Sequence, residues 1–255
     1  MLKVKKLVIA NWKMNPARIQ DALKLCKSTN AAARMVKNTQ VIIAVPTPYI
    51  ATLYKMPGKH YAFLSAQDVS YEEGGAFTGE VAGSMLFSSG ATYVLVGHSE
   101  RRLMGESDEQ VARKMLATHK ARLTPVLCVG EELRDEEGEY LKIVGEQVIQ
   151  ALQYLTASHI AGSVIAYEPV WAVGARATRA ANPRDVEEMS LYIRRIVADR
   201  IGPNRAARVP ILYGGSIEKG IAGIFMRDAG VQGLLVGRAS LKVSFAKLLQ
   251  EIDDA

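Results

Sequence analysis

Cysteine is scarce in this chain: Cys26 and Cys128 are the only two among 255 residues. No Cys-x-x-Cys pair and no Cys/His zinc spacing occurs, so neither a metal centre nor a disulfide framework is expected. So few cysteines suit a reducing compartment. Long apolar runs are also missing. No stretch approaches the roughly 20 residues needed to cross a bilayer. The run Leu7–Ala10, behind a basic start, is too short for a signal peptide. A cytoplasmic location without membrane partners is the expectation. Lys and Arg number 32 against 26 Asp and Glu, giving a net charge of +6, yet no basic cluster forms a nucleic-acid arm. The excess is a solvated surface or a field that steers an anionic metabolite. Linkers and low-complexity tracts are absent too, so residues 1–255 read as one domain, and 49% hydrophobic residues supply a large core.

What is present is an alternation. Short, nearly all-apolar runs read as strands at Lys6–Asn11, Gln40–Val45, Tyr61–Ala66, Thr92–Gly97, Thr124–Val129, Ser163–Glu168, Val209–Tyr213 and Gly233–Val236. Such runs are how strands buried on both faces look. Between them lie amphipathic stretches. Ala17–Lys37 carries Ile19, Leu23, Leu25 and Cys26; Tyr140–Leu155 carries Leu141, Val144, Val148, Leu152 and Leu155 at helical spacing. Ser107–Ala121 opens on a capping serine followed by acids, and Asn182-Pro183 opens the helix Arg184–Ile201. Eight strand–helix pairs predict an α/β fold, a (β/α)8 barrel. An open doubly wound sheet is the rival, since both arise from right-handed βαβ units.

In a barrel the chemistry sits at the C-terminal strand ends. Strand one ends at Asn11, with Lys13 just beyond. Strand four runs into His98, Ser99 and Glu100. Strand six ends at Glu168. The last two strands run into Tyr213-Gly214-Gly215-Ser216 and Gly237-Arg238. Singly, each is ordinary: a helix-start acid, a structural histidine, a surface lysine, a turn. Together they fit proton transfer between adjacent carbons of a keto-sugar phosphate. That reaction needs a carboxylate made basic by desolvation, a donor at the carbonyl oxygen, a cation for the developing charge, and backbone N–H groups for phosphate.

The segments Asn11-Trp12-Lys13-Met14-Asn15, Gly97-His98-Ser99-Glu100-Arg101-Arg102, Ala166-Tyr167-Glu168-Pro169-Val170-Trp171-Ala172 and Tyr213-Gly214-Gly215-Ser216 resemble the triosephosphate isomerases. Gly75–Glu80 and Val129-Gly130-Glu131 fit as well, and the order is kept along nearly the whole chain. The resemblance implies interconversion of dihydroxyacetone phosphate and D-glyceraldehyde 3-phosphate through an enediolate, without cofactor or metal. It makes Glu168 the base and His98 a neutral electrophile whose helix-start position suits a lowered pKa. Asn11 and Lys13 would contact substrate, and Glu100 would organise Lys13. Gly174, Ser216, Gly237 and Arg238 would offer backbone N–H groups to phosphate. It also implies a homodimer, with the loop of Phe77 and Thr78 at the interface.

The chain departs from the family pattern in three places. Within Pro169–Pro183, the lid segment, Arg176 and Ala177 replace a glycine and a lysine, and the stretch is longer by a residue or two. Arg102–Glu106 is about a residue short, near the family's subunit contact. Arg238 replaces a second glycine. The altered lid leaves two alternatives open: an isomerase of a longer keto-sugar phosphate such as a tetrulose phosphate, or a phosphate-binding barrel with weak catalysis.

Overall fold

The computed structural model describes residues 6–172, 179–217 and 220–255. Eight strands follow in chain order: β1 Lys6–Asn11, β2 Thr39–Ala44, β3 Ala62–Ala66, β4 Tyr93–Val96, β5 Thr124–Val129, β6 Val164–Tyr167, β7 Ile211–Tyr213 and β8 Gly233–Val236. Each pairs in parallel with its sequence neighbour, and β8 pairs with β1 from Leu7–Gly233 to Ala10–Val236. That last ladder closes the sheet, so the fold is the (β/α)8 barrel and not the open sheet. Its closure depends on one glycine. A Cβ at Gly233 would stand 1.9 Å from the Leu7 carbonyl oxygen, so a side chain there would push β8 off β1.

Alternation along the strands divides the core in two. Leu7, Ile9, Ile42, Leu95, Val126, Cys128, Val164, Ala166, Leu212 and Leu235 fill the barrel. Their strand neighbours, such as Val8, Val41, Val94, Leu127, Ile165 and Leu234, pack under the helices. With both faces buried, the strands are apolar at most positions rather than at alternate ones.

The long helices are Ile19–Met35, Asp108–Lys120, Glu139–Ala151, Pro183–Ile201 and Phe245–Asp254. Ser107 with Gln110, and Asn182 with Asp185, form reciprocal capping boxes on the second and fourth of these. Such caps contribute about 1 kcal/mol each. The first helix ends before Lys37 because the Lys37 and Asn38 N–H groups are taken by the Asp253 carboxylate of the C-terminal helix. The expected helix Tyr140–Leu155 stops at Ala151. The chain then turns, and Thr156 caps a new short helix, Ala157–Ala161. Strand β7 is shorter than Val209–Tyr213 because Pro210 has no N–H to extend the ladder.

At the N-terminal end of the barrel His119 and His159 stack, with ring centroids 4.7 Å apart and planes 15° from parallel. The Ser163 hydroxyl donates to the His159 carbonyl, so His119 Nε2 must donate its own proton to Ser163 Oγ, 2.9 Å away. Burial, reinforced by the charge of His159, lowers the His119 pKa to about 4. Between pH 6.5 and 4 the unfolded chain gains a proton that the folded protein refuses, so stability falls as pH falls through that window. Partial exposure discounts the effect to roughly 1–2 kcal/mol. Urea unfolding at pH 7 and pH 4.5 should therefore show His119→Gln losing less stability on acidification than the wild type, by that amount. Equal losses would refute the assignment.

Candidate active site

The inward phase of the strands carries past their C-terminal ends. In β1, Leu7 and Ile9 point into the barrel, and Asn11 is next in phase. In β6, Val164 and Ala166 point inward, and Glu168 follows. Asn11 and Glu168 are both nearly solvent-inaccessible. His98 reaches the same place by another route. Gly97 adopts a left-handed φ of 73°, which ends β4 and turns the chain so that His98 caps the helix Ser99–Leu103. Arg102 braces this turn by donating from Nε to the Gly97 carbonyl at 2.9 Å.

His98 Nε2 lies 3.1 Å from Glu168 Oε1, and the Ser99 N–H donates to Glu168 Oε2 at 3.2 Å. The Glu100 N–H donates to His98 Nδ1 at 3.2 Å. A nitrogen that accepts a hydrogen bond carries no proton, so the imidazole is neutral with its proton on Nε2. Asn11 Oδ1 accepts from the Lys13 N–H at 3.0 Å, which leaves Nδ2 facing His98 Nε2 at 3.3 Å. Both of these nitrogens are N–H donors, and two donors at that spacing are placed to share one anionic oxygen.

Desolvation alone would raise the Glu168 pKa, but the polar Nε2–H of His98 and its hydrogen bond, the Ser99 N–H and Lys13 hold it below the ordinary value. Burial pushes His98 down, yet the Glu168 carboxylate outweighs burial and holds His98 above its ordinary value. This corrects the expectation of a lowered His98 pKa. The helix start is present, but the carboxylate beside it dominates. The raising influence lasts only while Glu168 stays in contact.

Lys13 is a non-glycine residue at a left-handed φ of 52°. Such a conformation costs about 1 kcal/mol and is held by the Asn11 bond and by Gln67, whose Nε2 donates to the Lys13 carbonyl at 2.9 Å. The strained turn sends the Lys13 ammonium to Glu100 Oε1 at 2.5 Å. Gln67 also donates to the Ala44 carbonyl and to Asn11 Oδ1. Sequence reasoning missed this residue. The signal was its phase, two positions after Ser65 on the inward side of β3.

A cavity of about 730 Å³ is lined by Asn11, Lys13, His98, Glu100, Glu168, Ser216, Gly237 and Arg238. The eight described residues singled out in the sequence thus meet in one place. The ninth, Gly174, lies outside the described residues. Gly214 also lines the cavity, and a Cβ on it would lie 2.8 Å from Glu168 Cγ. Ser216 donates its hydroxyl to the Ala172 carbonyl at 2.9 Å. Among the described residues no group of three or more His, Cys, Asp or Glu is placed to hold a metal ion.

The triosephosphate isomerase family model matches residues 6–252. The chain belongs to the triosephosphate isomerase family. It is 41% identical over 242 residues to the triosephosphate isomerase of Alkalilimnicola ehrlichii, covering 93% of this chain and 94% of that protein. Against that of Stenotrophomonas maltophilia it is 42% identical over 239 residues, 93% of each chain. Against that of Symbiobacterium thermophilum it is 40% identical over 246 residues, covering 95% and 94%. Four of the segments that carry the family resemblance, those holding Asn11, His98, Glu168 and Ser216, line this cavity.

Gly214→Ala tests the packing. The added methyl should displace the Glu168 carboxylate and lower kcat for triose phosphate isomerisation on the order of 100-fold, the size expected for misplacing a reacting group by about 1 Å. The circular dichroism spectrum should not change. A wild-type kcat in this variant would show that Glu168 has room to spare.

Proposed function

We propose that this chain, acting as one catalytic domain, interconverts dihydroxyacetone phosphate and D-glyceraldehyde 3-phosphate. One observation carries the residue roles. A buried carboxylate, an Nε2–H imidazole and an amide N–H lie within 3.3 Å of one another along the chain Glu168–His98–Asn11, in a single cavity.

The steps follow from that geometry. Substrate oxygen accepts from His98 Nε2 and Asn11 Nδ2, which draws the imidazole proton away from Glu168. Freed of that contact, Glu168 becomes a stronger base in a site that excludes water. It takes the proton from the carbon that bears the hydroxyl. The electron pair left behind forms the carbon–carbon double bond of the enediolate, and the carbonyl oxygen takes the negative charge. Lys13, held by Glu100, and His98 stabilise that charge. The hydroxyl oxygen passes its proton to the charged oxygen by way of His98 Nε2 and becomes the new carbonyl, while Glu168 returns the proton it took to the adjacent carbon. Backbone N–H groups of Ser216, Gly237 and Arg238, together with Gly174, are the proposed phosphate contacts. No observation at the site favours the tetrulose phosphate or the weak-catalyst alternative.

A homodimer is part of the proposal. Phe77 and Thr78 are exposed on this chain, and Met14, beside Lys13, is almost fully exposed. The exposed side chain beside the site is what the loop of a second copy would cover. A cytoplasmic location is supported by the two cysteines, buried and unpaired. Among the described residues no helix is long and apolar enough to cross a membrane.

Two measurements test this reading. In a coupled assay without added metal or nucleotide, the wild type should turn over glyceraldehyde 3-phosphate. Glu168→Asp draws the carboxylate back by one methylene and should lower kcat by roughly 100-fold or more. Unchanged turnover would remove Glu168 from the mechanism. If the partner's loop completes the site, specific activity should fall on serial dilution in step with loss of dimer by sedimentation. A monomer with full activity would contradict this.

A further inference from the structure

Three residues beyond Glu168, Trp171 lies in the short 3-10 turn Val170–Ala172 with its indole buried. Its Nε1 donates to Glu131 Oε1 at 2.7 Å, and the Tyr167 hydroxyl donates to the same oxygen at 2.8 Å. The Val170 N–H donates to the Glu131 carbonyl at 3.0 Å. Glu131 therefore ties down the chain on both sides of Glu168. On the indole rests the guanidinium of Arg179, 4.2 Å from the ring centroid. Arg179 is itself held by Asp185 through two hydrogen bonds, Nη1 to Oδ2 at 2.6 Å and Nη2 to Oδ1 at 3.2 Å. Asp185 belongs to the capping box that starts the helix Pro183–Ile201. Arg134 is farther from the indole, at 5.9 Å, and is engaged with Glu188 and with the ring of Tyr140.

We propose that Arg179 is a positioning residue for Glu168: fixed by Asp185, its guanidinium holds the Trp171 indole against Glu131 and so sets the carboxylate. The inference rests on Glu168 being the base. Arg179 falls within the lid segment Pro169–Pro183, where this chain departs from the family pattern. A planar guanidinium can stack on the indole and grip a carboxylate at once, which an ammonium cannot do.

Arg179→Met keeps an unbranched apolar stem and removes the guanidinium with its charge. Trp12, the other tryptophan, is common to both proteins, so the difference in emission reports Trp171. The expected result is a shifted Trp171 emission and a kcat lower by roughly five- to tenfold, the size of one partly desolvated cation–π contact. KM should stay within about twofold, which a loss of uniform binding would not do. Arg179→Lys should leave kcat low. Asp185→Asn keeps an acceptor for the cap and should give a smaller loss than Arg179→Met. A wild-type kcat in Arg179→Met overturns the proposal, including when its melting temperature falls, because the clamp would then be structural only. Full rescue by lysine also overturns it. Failure of the underlying reading is distinct, since Glu168→Asp would then keep wild-type turnover whatever Arg179→Met does.

Discussion

The barrel holds every strand in a single phase, and the site depends on that phase. The ladder between β8 and β1, possible because residue 233 has no side chain, leaves no free edge along which a strand could slip. A slip of one residue would turn Glu168 toward the helices and bring Tyr167 into the cavity. The same phase delivers Asn11 from β1 and Gln67 from β3. His98 is the exception, and the left-handed turn at Gly97 supplies what the strand phase does not.

Around this frame the site holds tension in two forms. Charge is buried against its own desolvation: His98, the Ser99 N–H and Lys13 hold the Glu168 pKa below its ordinary value although burial alone would raise it. Backbone is strained at Lys13, where Gln67 and Asn11 hold a conformation that a lysine does not prefer. Both tensions favour an incoming anion. In the proposed reaction a substrate oxygen that accepts from His98 Nε2 releases the carboxylate, and the ammonium that the strained turn presents is already at the cavity wall. Half-exposed Lys13 and Glu100 add little stability as a pair; their contact orients the ammonium.

Much of this was legible in the sequence, for identifiable reasons. β1, β5 and β8 fall where the apolar runs place them because both faces are buried and polar or glycine residues bound them. The helix after β5 was read too long because apolar spacing continues to Leu155, while the turn after Ala151 and the Thr156 cap are local choices that periodicity does not record. Asn11, Lys13, His98 and Glu168 were legible as motifs. Gln67 was not, because a glutamine after a strand acquires meaning only from the carbonyls of residues 13 and 44. The direction of the His98 pKa was misread because its controlling neighbour is 70 residues away along the chain. Arg179 lies in the lid segment that departs from the family pattern but was not singled out there, because its bond to Asp185 and its stacking on Trp171 exist only in three dimensions.

The central claim is that one carboxylate, Glu168, carries the proton between two carbons. The most direct test is to incubate the protein with dihydroxyacetone phosphate in deuterium oxide and follow the label by NMR. The account predicts that the wild type incorporates deuterium at the carbon bearing the hydroxyl, and that Glu168→Gln, with its fold intact, loses this exchange. Incorporation by Glu168→Gln at the wild-type rate would contradict it.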